Sequence, residues 1–67
     1  MVTYMLSESA DGGVLCDDEG RTAALRGSLN TVLLDAAKVM LERGDPVHGG
    51  WTVVPDTKVQ TLRFLPQ

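Results

Sequence analysis

The chain holds one cysteine and one histidine, Cys16 and His48. Together they are the residue types of a thiolate–imidazole pair, in which the imidazole takes the thiol proton and the sulfur attacks. Closeness in space is all such a pair needs, so separation in sequence does not exclude it. The setting of Cys16 argues against an activated thiol, because it lies between apolar Leu15 and acidic Asp17-Asp18, and neighbouring negative charge raises a thiol pKa. One cysteine and one histidine also fall short of the four ligands of a structural zinc site. The run Asp17-Asp18-Glu19 offers hard oxygen ligands of the kind calcium and magnesium take. Read from Asp11, Asp17 or Asp18, however, the chain lacks the alternating ligands, glycine and closing glutamate of a calcium-binding loop.

Over three residues, His48-Gly49-Gly50 resembles the oxyanion segment of lipases and esterases. Those enzymes also need a G-x-S-x-G nucleophile elbow and a second histidine, and neither is present. Arg43-Gly44-Asp45 spells the tripeptide that integrins recognise, but Arg, Gly and the following Pro46 are all explained by a helix ending there. Tyr4, Trp51 and Phe64 are too few, and too far from basic residues, to make a stacking platform for single-stranded nucleic acid; they serve better as core anchors. Arg21, Arg26, Lys38, Lys58 and Arg63 are scattered and trace no groove for phosphates. No catalytic, cofactor-binding or metal-binding residue is assigned, no cofactor is expected, and the chain is read as not an enzyme.

Sixty-seven residues make one small domain, 1–67, and a core of that size buries only ~60% of the unfolded chain's surface. Residues are 43% hydrophobic and 22% charged, the composition of a folded domain rather than a disordered tail. The net charge of −3 supplies no general basic field, so nucleic acid is an unfavoured partner. Charge is uneven: residues 1–20 carry Glu8, Asp11, Asp17, Asp18 and Glu19 with no base, while residues 21–43 carry a net excess of base. The acidic end is read as a solvated turn, with contact to a basic protein, or imitation of nucleic-acid phosphates, as the alternatives. A lone cysteine allows no intrachain disulfide, and the first residues show neither a basic segment nor a long apolar run, so a reducing cytoplasm is the expected location. Val32-Leu33-Leu34 stops at Asp35, far short of the ~20 apolar residues that span a bilayer. Absence of isoleucine, two lysines against four arginines and abundant Ala, Gly, Val and Leu are GC-rich codon choices, which point to a high-GC bacterium or its phage.

These residues must be positioned by few elements. Val2, Tyr4 and Leu6 alternate with Thr3, Met5 and Ser7 as in a strand, Ala10-Asp11-Gly12-Gly13 supplies turn chemistry, and residues 14–18 read as the returning strand. From Leu25 the period changes, and Leu25, Leu29, Val32, Leu33, Ala36, Val39 and Met40 recur at helical spacing. Residues 21–27 read either as a first helical turn or two, or as a preceding segment with Ser28 or Asn30 as N-cap, since Gly27 weakens a helix. Gly44 and Pro46 end it. Residues 51–54, a turn at Pro55-Asp56-Thr57 and residues 58–65 read as a second hairpin. The expected fold is α+β, in the order ββαββ: two layers, a four-stranded, mainly antiparallel sheet and one amphipathic helix on one of its faces.

Leu34 and Leu41 lie about 180° and 160° round the helical wheel from Leu25, outside the core-facing stripe. Ala23 and Ala37 flank them. Two leucines on a second stripe mean either a helix wrapped further, by the chain termini, or a surface that meets another protein. Leu34, Ala37 and Leu41 are therefore the expected partner-binding residues, with a homodimer as the first expected partner and an exposed strand edge as a further contact. The alternative is a small dimeric regulator touching nucleic acid through Arg21, Arg26 and Lys38.

Overall fold

A computed structural model describes residues 3–45 and 47–67. Val2 and Pro46, expected to open the first strand and to stop the helix, lie outside the described residues. The chain forms β1 (Tyr4–Ser9), β2 (Gly12–Asp17), β3 (Thr22–Arg26), α1 (Leu29–Glu42), β4 (Gly49–Val53) and β5 (Thr61–Pro66). All strand pairs are antiparallel, in the order β3-β2-β1-β5-β4, and α1 covers one face. This is the expected α+β arrangement of a helix on an antiparallel sheet, with five strands in place of four.

The additional strand is β3. Residues 21–27 do not begin the helix, and Leu25 shares the inward face of a strand with Ala23 instead of extending the helical stripe. Asp17 causes the reversal that makes this possible. Its Oδ1 accepts from the N–H groups of Glu19 and Arg21, both at 2.9 Å, folding residues 17–21 into a tight turn that returns β3 along β2. The helix starts at the later of the expected points: Ser28 is the N-cap, extended at ψ 166° and accepting from the Thr31 N–H. It ends where expected. Gly44, at φ 78°, occupies the left-handed position after the Arg43 cap, and the N–H groups of Gly44 and Asp45 bond Leu41 and Met40 carbonyls, the double closure of a Schellman end.

The second hairpin has a longer loop than its proline suggested. β5 begins at Thr61, so Lys58, Val59 and Gln60 belong to the loop, which is closed by the Val54 N–H on the Thr61 carbonyl. Because β5 enters between β1 and β4, residues distant in sequence meet at the sheet centre, with Leu6 opposite both Leu15 and Leu62.

Between the layers, Tyr4, Leu6, Leu15, Val32, Ala36, Met40, Leu62 and Phe64 are buried. Leu33, Val39, Val47 and Trp51 pack against them. Trp51 meets Phe64 edge to face, with ring centroids 5.2 Å apart. Gly13 lets the layers approach. A methyl group there would stand 3.0 Å from Val32 Cγ1 and 3.1 Å from Leu6 Cδ1. No helix among the described residues is long and apolar enough to cross a membrane.

Candidate interaction surface

Helical spacing places Leu34, Ala37 and Leu41 on one flank of α1, and the core takes the opposite one through Val32, Ala36 and Met40. Leu34 is 67% exposed and Leu41 64%, while Ala37 between them is half-buried. Of the residues expected on the core face, Leu29 is exposed instead. It borders a cleft of about 560 Å³ beside the helix N-terminus, shared with Leu6, Glu8, Gly13, Val32 and Leu62. Ala23, read as flanking the stripe, belongs to β3 and packs on the core.

The direction of this flank follows from the hydrogen bonds. Alternate residues of a strand present their backbone groups to opposite edges. Asp17 faces inward and its N–H bonds Arg21 on the β3 side, while inward-facing Glu8 bonds Gln60 on the β5 side. The helix runs alongside β2 in the same sense, with Val32 near Gly13 at its start and Arg43 bonded to Asp17 at its end. Its right-handed winding then turns Leu33, Ala37 and Leu41 towards the β1–β5 side, leaves Leu34 pointing outward, and sets Thr31, Asp35 and Glu42 on the β3 side.

The residues with catalytic potential are not brought together. Cys16 lies half-buried in β2 and His48 precedes β4, with β1 and β5 between those strands. Of the acidic run, only Asp17 turns inward, because it continues the alternation of Gly13 and Leu15. Its side chain is fully buried, and its oxygens are taken by Arg21 Nε at 2.7 Å, Arg43 at 3.3 Å and the two turn N–H groups. Burial raises its pKa, but the Arg21 N–H, the Arg21 guanidinium and the Glu19 N–H together outweigh burial and hold it below 3.8. Beside it, Tyr4 donates its hydroxyl proton to Asp45, and burial followed by that bond raises the phenol above 10. Sequence reasoning missed this polar clasp; its available signal was the in–out alternation of β2.

Arg21 is engaged by Asp17 and lies 3.6 Å from Glu19, so the basic set Arg21, Arg26 and Lys38 is not a set of three free cations. The sheet face away from the helix carries Met5, Val14, Cys16, Ala24, Arg63 and Leu65, with Leu65 52% exposed. Comparison with protein-family models, with curated proteins and with solved structures finds no match.

Proposed function

We propose that this chain is a non-enzymatic protein-interaction module of the cytoplasm of a high-GC bacterium or its phage, which self-associates and binds another protein through Leu34, Ala37 and Leu41. The observation that carries this reading is the exposure of two leucines on one helical flank, in a domain whose core takes the helix's other side. Removing the exposed part of each leucine from water is worth about 1–2 kcal/mol. Ala37 between them is small enough for another backbone to approach closely. An i, i+3, i+7 set of this shape fits the aliphatic side of a second helix, so the docked partner is an amphipathic helix.

The test compares wild type with Leu41→Glu by light scattering over a dilution series and by capture of proteins from a bacterial lysate. The wild type is expected to run above monomer mass, and Leu41→Glu to stay folded and lose a protein that the wild type retains. A wild type that is monomeric throughout and retains nothing overturns the reading. An unfolded Leu41→Glu overturns the assignment of the flank as a surface.

A further inference from the structure

We infer that two copies join edge to edge through β3, extending the sheet across a two-fold axis at Ala24. This rests on the self-association in the reading above and names its place, leaving the Leu34, Ala37 and Leu41 flank free for the other protein.

Backbone direction along β2 sets the geometry. Leu15 pairs with Ala23 and Gly13 with Leu25, and these inward residues of β2 direct their N–H and C=O groups to β3. Ala23 and Leu25 therefore answer them, and Thr22, Ala24 and Arg26 direct theirs outward at the edge. An antiparallel copy centred on Ala24 sets Ala24 against its own counterpart and each Thr22 against the other's Arg26. All three positions are then of the hydrogen-bonded kind, giving about six N–H···O=C bonds. No register change or backbone movement is needed.

The side chains agree. β3 lacks proline, lysine, a bulge and an inward-pointing charge, the stronger devices that keep an edge apart, and its one charge, Arg26, points to the outer face. Alanine at the axis admits close approach, and Arg26 meets Thr22, not another Arg26. The second layer agrees as well. The helix packs against both β2 and β3, so its axis lies over the gap between them. Two-fold pairing then sets the two helix axes about two strand spacings apart, ~10 Å, at the upper end of ordinary helix packing. The helices run antiparallel, with the Thr31, Asp35 and Glu42 sides facing. The two Asp35 side chains then face each other across the axis, a repulsion offset by Lys38 of each copy, about one turn along the axis from the partner's Asp35; Glu42 approaches the partner helix's N-terminal end, where a carboxylate is favoured. The opposite edge, β4, suits this less: it opens with Gly49-Gly50, and among the described residues no helix lies over it to continue the second layer.

The test is Ala24→Pro, together with Ala24→Lys, Leu41→Glu and the wild type, each measured by light scattering across a dilution series. Among the described residues the Ala24 N–H, at the sheet edge, has no partner within one copy, so proline removes a bond only from the dimer; Ala24→Lys keeps the N–H and opposes two ammonium groups across the axis. Both Ala24 variants are expected to halve the mass while staying folded, and Leu41→Glu to keep the wild-type mass. In the wild type, amide exchange at Thr22, Ala24 and Arg26 is expected to slow at least ~10-fold between dilute and concentrated samples, a readout that needs no variant. The inference is overturned if those amides exchange freely at every concentration, or if the Ala24 variants keep the wild-type mass. Loss of mass in Leu41→Glu alone would place the joint on the helix flank and leave self-association standing. A wild type that is monomeric throughout overturns both.

Discussion

Asp17, the last residue of β2, accepts a hydrogen bond from Arg43, the C-cap of α1, at 3.3 Å. The carboxylate that folds the β2–β3 turn thus also fastens the end of the helix to the sheet. A buried acceptor with several donors is costly to remove, because the donors lose their partner as well. Asp17→Ala is therefore expected to lower the melting temperature clearly, while Asp18→Asn in the same turn stays within ~0.5 kcal/mol of wild type. Thermal unfolding followed by circular dichroism makes the comparison.

The pH dependence of this clasp has a definite sign. With the folded pKa of Asp17 below its ordinary 3.8, its stabilisation is complete above the unfolded value and is lost as pH falls from there through the folded pKa. Melting temperatures between pH 6 and pH 2 should thus show a decline below about pH 4 that is smaller in Asp17→Asn. An identical decline in both proteins would assign it to other carboxylates.

Tyr4 gives the alkaline counterpart and is easily observed, being the only tyrosine. Its raised pKa favours the neutral phenol in the fold, so its contribution is present below pH 10 and is lost as pH rises through the folded value. Tyrosinate absorbance should rise at higher pH in the native protein than after unfolding in urea. Asp45→Asn should move the native titration down; titration at the ordinary value in the wild type would mean that neither the burial of Tyr4 nor its bond to Asp45 persists.

Leu15 and Leu34 are the same residue type in opposite circumstances, one 0% and the other 67% exposed. Leu15→Ala is expected to cost about 2–5 kcal/mol and Leu34→Ala less than ~0.5 kcal/mol. Urea unfolding should be done on dilute samples, where association adds least to apparent stability. Equal costs would place Leu34 in the core.

Gly13 tests the contact between the layers. Gly13→Val would drive branched carbons into Val32 and Leu6, whose nearest atoms stand only 3.0 and 3.1 Å from where the first added carbon would sit; overpacking of this kind costs about 1–3 kcal/mol. The near-ultraviolet dichroism of Trp51 should weaken along with stability. A variant as stable as wild type would show that the helix rides further from the sheet.

The helix end and the first hairpin were legible in the sequence because local chemistry decides them: Gly44 after Arg43 in one case, Asp11-Gly12 between alternating segments in the other. β3 was hidden because Ala23, Ala24, Leu25 and Arg26 are good helix formers, and Leu25 stands in helical phase with Leu29 and Val32. Pairing with β2 overrides that preference, and the signal for it lay in residues 17–20, a turn sequence with aspartate first and glycine fourth. The same stretch also resembles a set of metal ligands, since nothing local distinguishes an inward Asp17 from a solvated Asp18 except the phase of the strand before it. For Leu34 and Leu41, periodicity states which side chains share a direction; their exposure depends on how far the sheet reaches round the helix, which is a matter of tertiary packing.

The place of β5 bears on how the molecule is made. It is the last element in chain order, yet it supplies Leu62 and Phe64 to the core and sits between β1 and β4. As the chain leaves the ribosome, β1, β2, β3 and α1 emerge with one edge of β1 unpaired and Leu6 lacking its partner across that edge. The sheet closes only when the segment from Thr61 has cleared the exit tunnel, and closing it joins residues nearly sixty positions apart, such as Met5 and Arg63, a slow kind of contact. Until then the unpaired edge of β1 is the stretch of backbone most in need of shelter.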